Sequence, residues 1–152
     1  LEVVDPSGLR IQLVGDAEDA RTGNLWTTDL ISEAMAVRGL HHARLLVNEA
    51  APLEAFLTYF GYRLTKREAS VSLWEAGEGG AGNSLVVEED ALARGGINGI
   101  GTVHHIAHRV ASLDDSIAIR TKMARELGLQ ATQVMDRNYF ESIYFRVPGG
   151  IL

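Results

Sequence analysis

The sequence predicts an α+β fold in which paired β-α-β-β-β modules build a curved, mixed sheet shaped like a cup. Three observations carry this expectation. Two stretches each read as strand, helix and then further short strands, so the chain holds an internal repeat. Helical segments show apolar residues at spacings of three and four, while strand segments are short and rich in Val, Leu and aromatic residues. Proline-glycine turns also recur at matching places, as Asp5-Pro6-Ser7-Gly8-Leu9 and Val147-Pro148-Gly149-Gly150-Ile151.

Leu1–Val4 and Leu9–Val14 flank the first of these turns and read as a hairpin, the last piece of a preceding module over residues 1–14. Residues 15–38 form a linker: Gly15 to Asn24 is polar and charged, and Leu25 to Arg38 has room for a short helix. The first whole module covers residues 39–90. It begins with a strand at Leu40–Val47. A helix follows near Pro52–Phe60, where Leu53, Phe56, Leu57 and Phe60 share a face, and Gly61 stops it. Strands come next at Tyr62–Glu68, Val71–Ala76 and Ser84–Glu88. Residues 91–100 connect to the second module, 101–152. That module has a strand at Thr102–Val110, a helix at Leu113–Leu127 closed by Gly128, strands at Thr132–Met135 and Phe140–Val147, and the first residues of another at Ile151. Its final strand is expected to be missing. Six residues separate Pro6 from Gln12; the same count from Pro148 lands two positions beyond Leu152.

Composition narrows the chemistry. With 152 residues and 46% hydrophobic content, the chain can bury a core. A net charge of −6 and the lack of a Lys/Arg stripe argue against nucleic acid. There are no cysteines, so disulfides, thiolate ligands and cysteine nucleophiles are excluded, and any metal must use His, Asp or Glu. No apolar run approaches the roughly 20 residues that cross a bilayer. A cytoplasmic chain without membrane partners is the expectation.

Histidines are the candidate ligands. Alternation along Thr102–Val110 puts His105 on one face and His104 and His108 on the other. Leu40-His41-His42-Ala43 mimics Val103-His104-His105-Ile106, which makes His42 a second candidate. Pattern alone leaves each of them open as a ligand or as a hydrogen-bonded structural residue. Gly77-Glu78-Gly79-Gly80-Ala81-Gly82 lacks the Lys of a phosphate loop and reads as a flexible connection.

Gly101-Thr102-Val103-His104-His105-Ile106-Ala107, Met135-Asp136-Arg137-Asn138-Tyr139-Phe140, Ser142-Ile143-Tyr144-Phe145-Arg146 and Pro148-Gly149-Gly150-Ile151-Leu152 together resemble the hydroquinone-type ring-cleaving dioxygenases of the vicinal oxygen chelate superfamily, which also includes glyoxalase and bleomycin-resistance proteins. The resemblance implies an Fe(II) enzyme, with Mn(II) the other metal considered, that opens the ring of a hydroquinone or catechol with O2. It implies that His105 is the principal metal ligand in this chain and His42 the lesser candidate. A second histidine is expected from an earlier module, and a glutamate two positions beyond Leu152. Tyr139 is implied as the active-site tyrosine, Arg137 as a substrate-pocket residue, and Glu141 as the proton-transfer group where the family has His. His108 departs from the family's Phe. A metal-free drug-binding module and a glyoxalase-like isomerase or transferase are the competing readings of the same fold. An incomplete cup leaves sheet edges open, and pairing with a second copy is the expected way to close them.

Overall fold

The structure is a computed structural model that describes all 152 residues. It is an α+β arrangement of eight strands and two helices: β1 (Glu2–Val4), β2 (Arg10–Gln12), β3 (His42–Val47), α1 (Ala51–Tyr59), β4 (Arg63–Glu68), β5 (Val71–Glu75), β6 (Ser84–Glu89), α2 (Leu113–Leu127), β7 (Met135–Asp136) and β8 (Glu141–Ser142).

The central sheet has the order β3-β6-β5-β4. β3 runs parallel to β6, pairing His42 with Ser84 through Val47 with Glu89, while β5 pairs antiparallel with both β6 and β4. Alternation explains which face is buried. Leu45 and Val47 of β3, Trp74 of β5, and Leu85 and Val87 of β6 point under α1 and meet Leu53, Phe56 and Leu57. Helix α1 starts at a proline-bearing first turn with no side-chain cap of its own. The Glu89 carboxylate instead accepts the Ala50 amide at 2.7 Å, satisfying an end that would otherwise be orphaned. A polar chain crosses this core: the Trp74 indole donates to Ser72 Oγ, Ser72 donates to Glu54 Oε1, and Arg67 donates to Glu54 Oε2. The Arg67 guanidinium, followed by the Ser72 hydroxyl, holds the Glu54 carboxyl below its ordinary range.

The second module is looser. Helix α2 is well made locally: the Ser112 side chain accepts the Asp115 amide, and Gly128 ends the helix in the left-handed region at φ 65°. Of its residues only Met123 is buried, and Met123 reaches the core of the first module. The strand expected at Thr102–Val110 does not form. Its counterpart β3 is held by a six-residue parallel ladder, whereas this segment makes a single such bond, from Ile106 N–H to the Leu152 carbonyl. The expected strand at Phe140–Val147 shrinks to β8 plus an isolated bridge from Phe145 to Ala131. The short helix expected within Leu25–Arg38 is replaced by turns and a Thr28–Ile31 bridge. That segment is fixed by side chains: Arg21 forks onto Asp19 and donates to the Leu40 carbonyl, and Arg38 donates to the Arg21 carbonyl. No helix is long and apolar enough to cross a membrane.

Candidate active site

The two modules place an adjacent histidine pair at the same point, and both pairs adopt the same geometry. His41 and His42 approach Nδ1 to Nδ1 at 2.8 Å with rings 5.0 Å apart and 82° between planes. His104 and His105 repeat this at 2.8 Å, 5.1 Å and 86°. Each contact needs one N–H, so one ring donates and the other accepts.

The surroundings differ. Asp16 Oδ2 lies 3.1 Å from His41 Nε2. A carboxylate can only accept, so a neutral His41 carries its proton on Nε2, its Nδ1 accepts, and His42 donates from Nδ1. Burial, then the charges of His41 and Arg44, keep the His42 imidazole below its usual pKa. The second pair has no acid partner. Instead, the His105 ring meets Tyr144 edge-on at 5.8 Å, and the Arg137 guanidinium lies 5.4 Å from the Tyr144 ring centre. His105, Tyr144, Glu141 and Ser142 line a cavity of about 670 Å³ between the modules, within the usual range for small-molecule sites.

The residues singled out from the sequence fall in different places. His105 and Glu141 line the cavity, and Arg137 lies behind Tyr144. His42 heads β3 and does not line that cavity. Tyr139 is 95% exposed at the tip of the β7–β8 hairpin. The tip is tight: Asn138 takes φ 67°, its amide bonds the Asp136 carboxylate, and Arg137 N meets the Phe140 carbonyl. Tyr139 is therefore turned outward, and Tyr144 takes the position next to His105. The signal for Tyr144 was available in the run Ser142-Ile143-Tyr144-Phe145, where Ser142 and Tyr144 alternate with Ile143 and Phe145.

No three His, Asp or Glu side chains converge to metal-binding distance. These residues by themselves offer a metal one imidazole, His105, and do not assemble a facial triad of two histidines and a carboxylate. A metal bound at His105 Nε2 would select the tautomer in which His105 donates from Nδ1 to His104, the usual outer partner of a ligating imidazole.

No protein-family model matches the chain. A protein of Bacillus subtilis strain 168 named as a ring-cleaving dioxygenase, MhqA, is 32% identical over 155 residues, covering 97% of this chain and 48% of that protein. The chlorohydroquinone/hydroquinone 1,2-dioxygenase of Sphingobium indicum strain UT26S is 33% identical over 133 residues, covering 84% of this chain and 40% of that protein. A crystal structure of a Bacillus subtilis strain 168 protein named as a dioxygenase superimposes with a TM-score of 0.86 at 32% identity, over 99% of this chain and 47% of that one. The chain belongs to the vicinal oxygen chelate superfamily. Within that superfamily it is similar to the ring-cleaving dioxygenases of the hydroquinone type. The fold alone is shared with the fosfomycin resistance protein FosX of Listeria monocytogenes, at a TM-score of 0.55, 22% identity, and 76% of this chain and 86% of that one. The chain spans about half the length of the curated relatives it matches.

Proposed function

We propose that this chain belongs to an Fe(II)-dependent dioxygenase that opens the ring of a hydroquinone or catechol, with Mn(II) the other ion suited to nitrogen and oxygen donors. The reading rests on the cluster of His105, Tyr144 and Arg137 beside the inter-module cavity. When bound, such a metal supplies a Lewis acid that orients a phenolate and O2 together. The chain's own residues supply the rest. His105 is the donor, with its Nδ1 engaged by His104. Tyr144, whose ring meets His105 edge-on, would hydrogen-bond an oxygen of the substrate and hand it a proton. Arg137, 5.4 Å from that ring's centre, is a cation–π partner that orients Tyr144. Glu141 lines the same cavity and is a second proton carrier. The apolar walls exclude water and fix the ring against these groups. We assign the tyrosine role to Tyr144 in place of Tyr139. The substrate is a small aromatic molecule; O2 is the co-substrate, and the setting is cytoplasmic. Oxygen uptake on addition of hydroquinone to the Fe(II)-loaded protein tests this reading. Uptake that stops without iron supports it, and no uptake with any hydroquinone or catechol overturns it.

A metal-free binding role is the second reading, favoured by the mostly apolar lining of the same cavity. Tight binding of an aromatic compound with neither metal nor O2 consumption would select it.

A further inference from the structure

The segment that carries His105 is held at two points. One is the bond from the Ile106 amide to the Leu152 carbonyl, its one backbone hydrogen bond to a distant part of the chain. The other is a close approach at Gly101 to the turn of the β1–β2 hairpin. Gly101 takes φ 84°, which disfavours any residue with a side chain. A methyl group there would also overlap the Ser7 carbonyl oxygen and stand 2.8 Å from the carbonyl carbon. Both atoms are backbone, so no side chain can swing aside to make room. The turn itself is a firm seat. Asp5 Oδ1 accepts the Ser7 and Leu9 amides, each at 2.8 Å. The Asp5 carbonyl accepts the Gly8 amide, and the Asp5 amide donates to the Leu9 carbonyl. On the other side of the contact, the Thr102 hydroxyl closes a turn onto Gly99, accepting its amide at 3.1 Å and donating to its carbonyl at 2.8 Å. His104 and His105 lie between Gly101 and Ile106, so their Nδ1–Nδ1 contact is made on a stretch fixed at both ends.

We infer that Gly101 and the Asp5–Leu9 turn form a positioning device for His105, setting the direction in which its ring meets Tyr144 and the cavity. The inference deepens the dioxygenase reading and rests on it only for the role of His105 as metal donor. The matching turn of the second module shows why the device matters at one pair and not the other. Gly149, at φ 90°, stands where a methyl group would come 2.9 Å from Val47 Cγ1, at the end of β3. Each turn thus leans on the leading segment of the other module. β3 is already held by six paired residues, so His42 needs no such seat. The His105 segment has a single ladder bond, so the contact at Gly101 supplies the second constraint. Displacements of about 1 Å at a reacting group cost about a hundredfold in rate, which makes such a constraint consequential.

Nitrogen-15 spectra of the histidine rings in the full, metal-free chain test the device, together with amide exchange. The chain has five histidines, so the His41–His42 pair serves as an internal reference. Gly101→Ala is expected to shift the His104 and His105 ring signals while the His41 and His42 signals stay in place. The Ile106 amide should exchange about tenfold faster, with the β3–β6 amides still protected. Asp5→Ala loosens the turn from the other side and should move the same signals by less. Gly99→Ala is the control, since a methyl group there meets nothing within 4 Å. If Gly101→Ala unfolds the chain as a whole, Asp5→Ala decides by the same signals. Unchanged His104 and His105 signals in Asp5→Ala and in folded Gly101→Ala overturn the device, as does an equal response in Gly99→Ala. The spectra need neither metal nor turnover, so the two ideas fail separately. Shifted signals in a protein that consumes no O2 sink the dioxygenase reading alone. Oxygen uptake with unchanged signals sinks the positioning device alone.

Discussion

The two modules carry the same histidine pair on unlike supports. In the first, a four-stranded sheet and a helix enclose a shared core, and Asp16 pins the pair's outer ring. In the second, the segment holding the pair has one ladder bond, the helix buries one side chain, and the pair faces an open cavity beside a tyrosine and an arginine. Under the proposed function, order and chemistry are thus separated. The module that is best packed holds its histidines in a closed hydrogen-bond chain, and the module that is loosely packed leaves His105 free to meet a ligand.

The comparison breaks most visibly in the core of the first module. Leu53 is 1% exposed between α1 and the sheet. Leu53→Ala is expected to cost about 2–5 kcal/mol in urea unfolding, and hydrogen exchange should rise across β3, β5 and β6. Next comes the buried polar chain. Glu54→Ala strands Ser72 Oγ and frees Arg67, at a cost of about 1–3 kcal/mol. Glu54 also gives a pH signature. Its carboxyl is depressed in the folded state, so its contribution is fully present above the unfolded value near 4.5 and is lost as pH falls through the lower folded value. Unfolding midpoints measured downward from pH 6 should fall in the wild type and fall less steeply in Glu54→Gln.

The second module relies on local devices, so its variants should cost less. Ser112→Ala removes the cap on α2 and should cost about 1 kcal/mol, read as a loss of helical circular dichroism with the β3–β6 amides still protected. The smallest effect has the opposite sign. Ala69 opens the β4–β5 turn at φ 49°, a conformation that suits glycine, and Ala69→Gly should stabilise the protein by about 0.5–1 kcal/mol in the same titration.

Much of the first module was legible because its signals are local and agree. Leu53, Phe56 and Leu57 mark one helical face, and Leu85 and Val87 alternate with the outer residues of β6. The end of α2 could be read from Gly128. The strand at Thr102–Val110 could not be read correctly, because its sequence has strand character while strand formation depends on a ladder, and this segment makes a single such bond, from Ile106 to Leu152. The resemblance singles out Tyr139, whereas the structure brings Tyr144 next to His105. Which tyrosine meets His105 is decided by the tight turn at Asn138, a positive-φ residue that a motif match does not weigh. The closed chain through Asp16 joins residues 25 positions apart, and no pattern in the sequence links them.

The central claim is that chemistry belongs to the second pair and not the first. It is tested most directly by hydroquinone-dependent oxygen uptake in His105→Ala and His42→Ala, each loaded with Fe(II). The account predicts that His105→Ala abolishes uptake and that His42→Ala keeps it within a few fold of wild type. Full uptake in His105→Ala, with loss in His42→Ala, would contradict it.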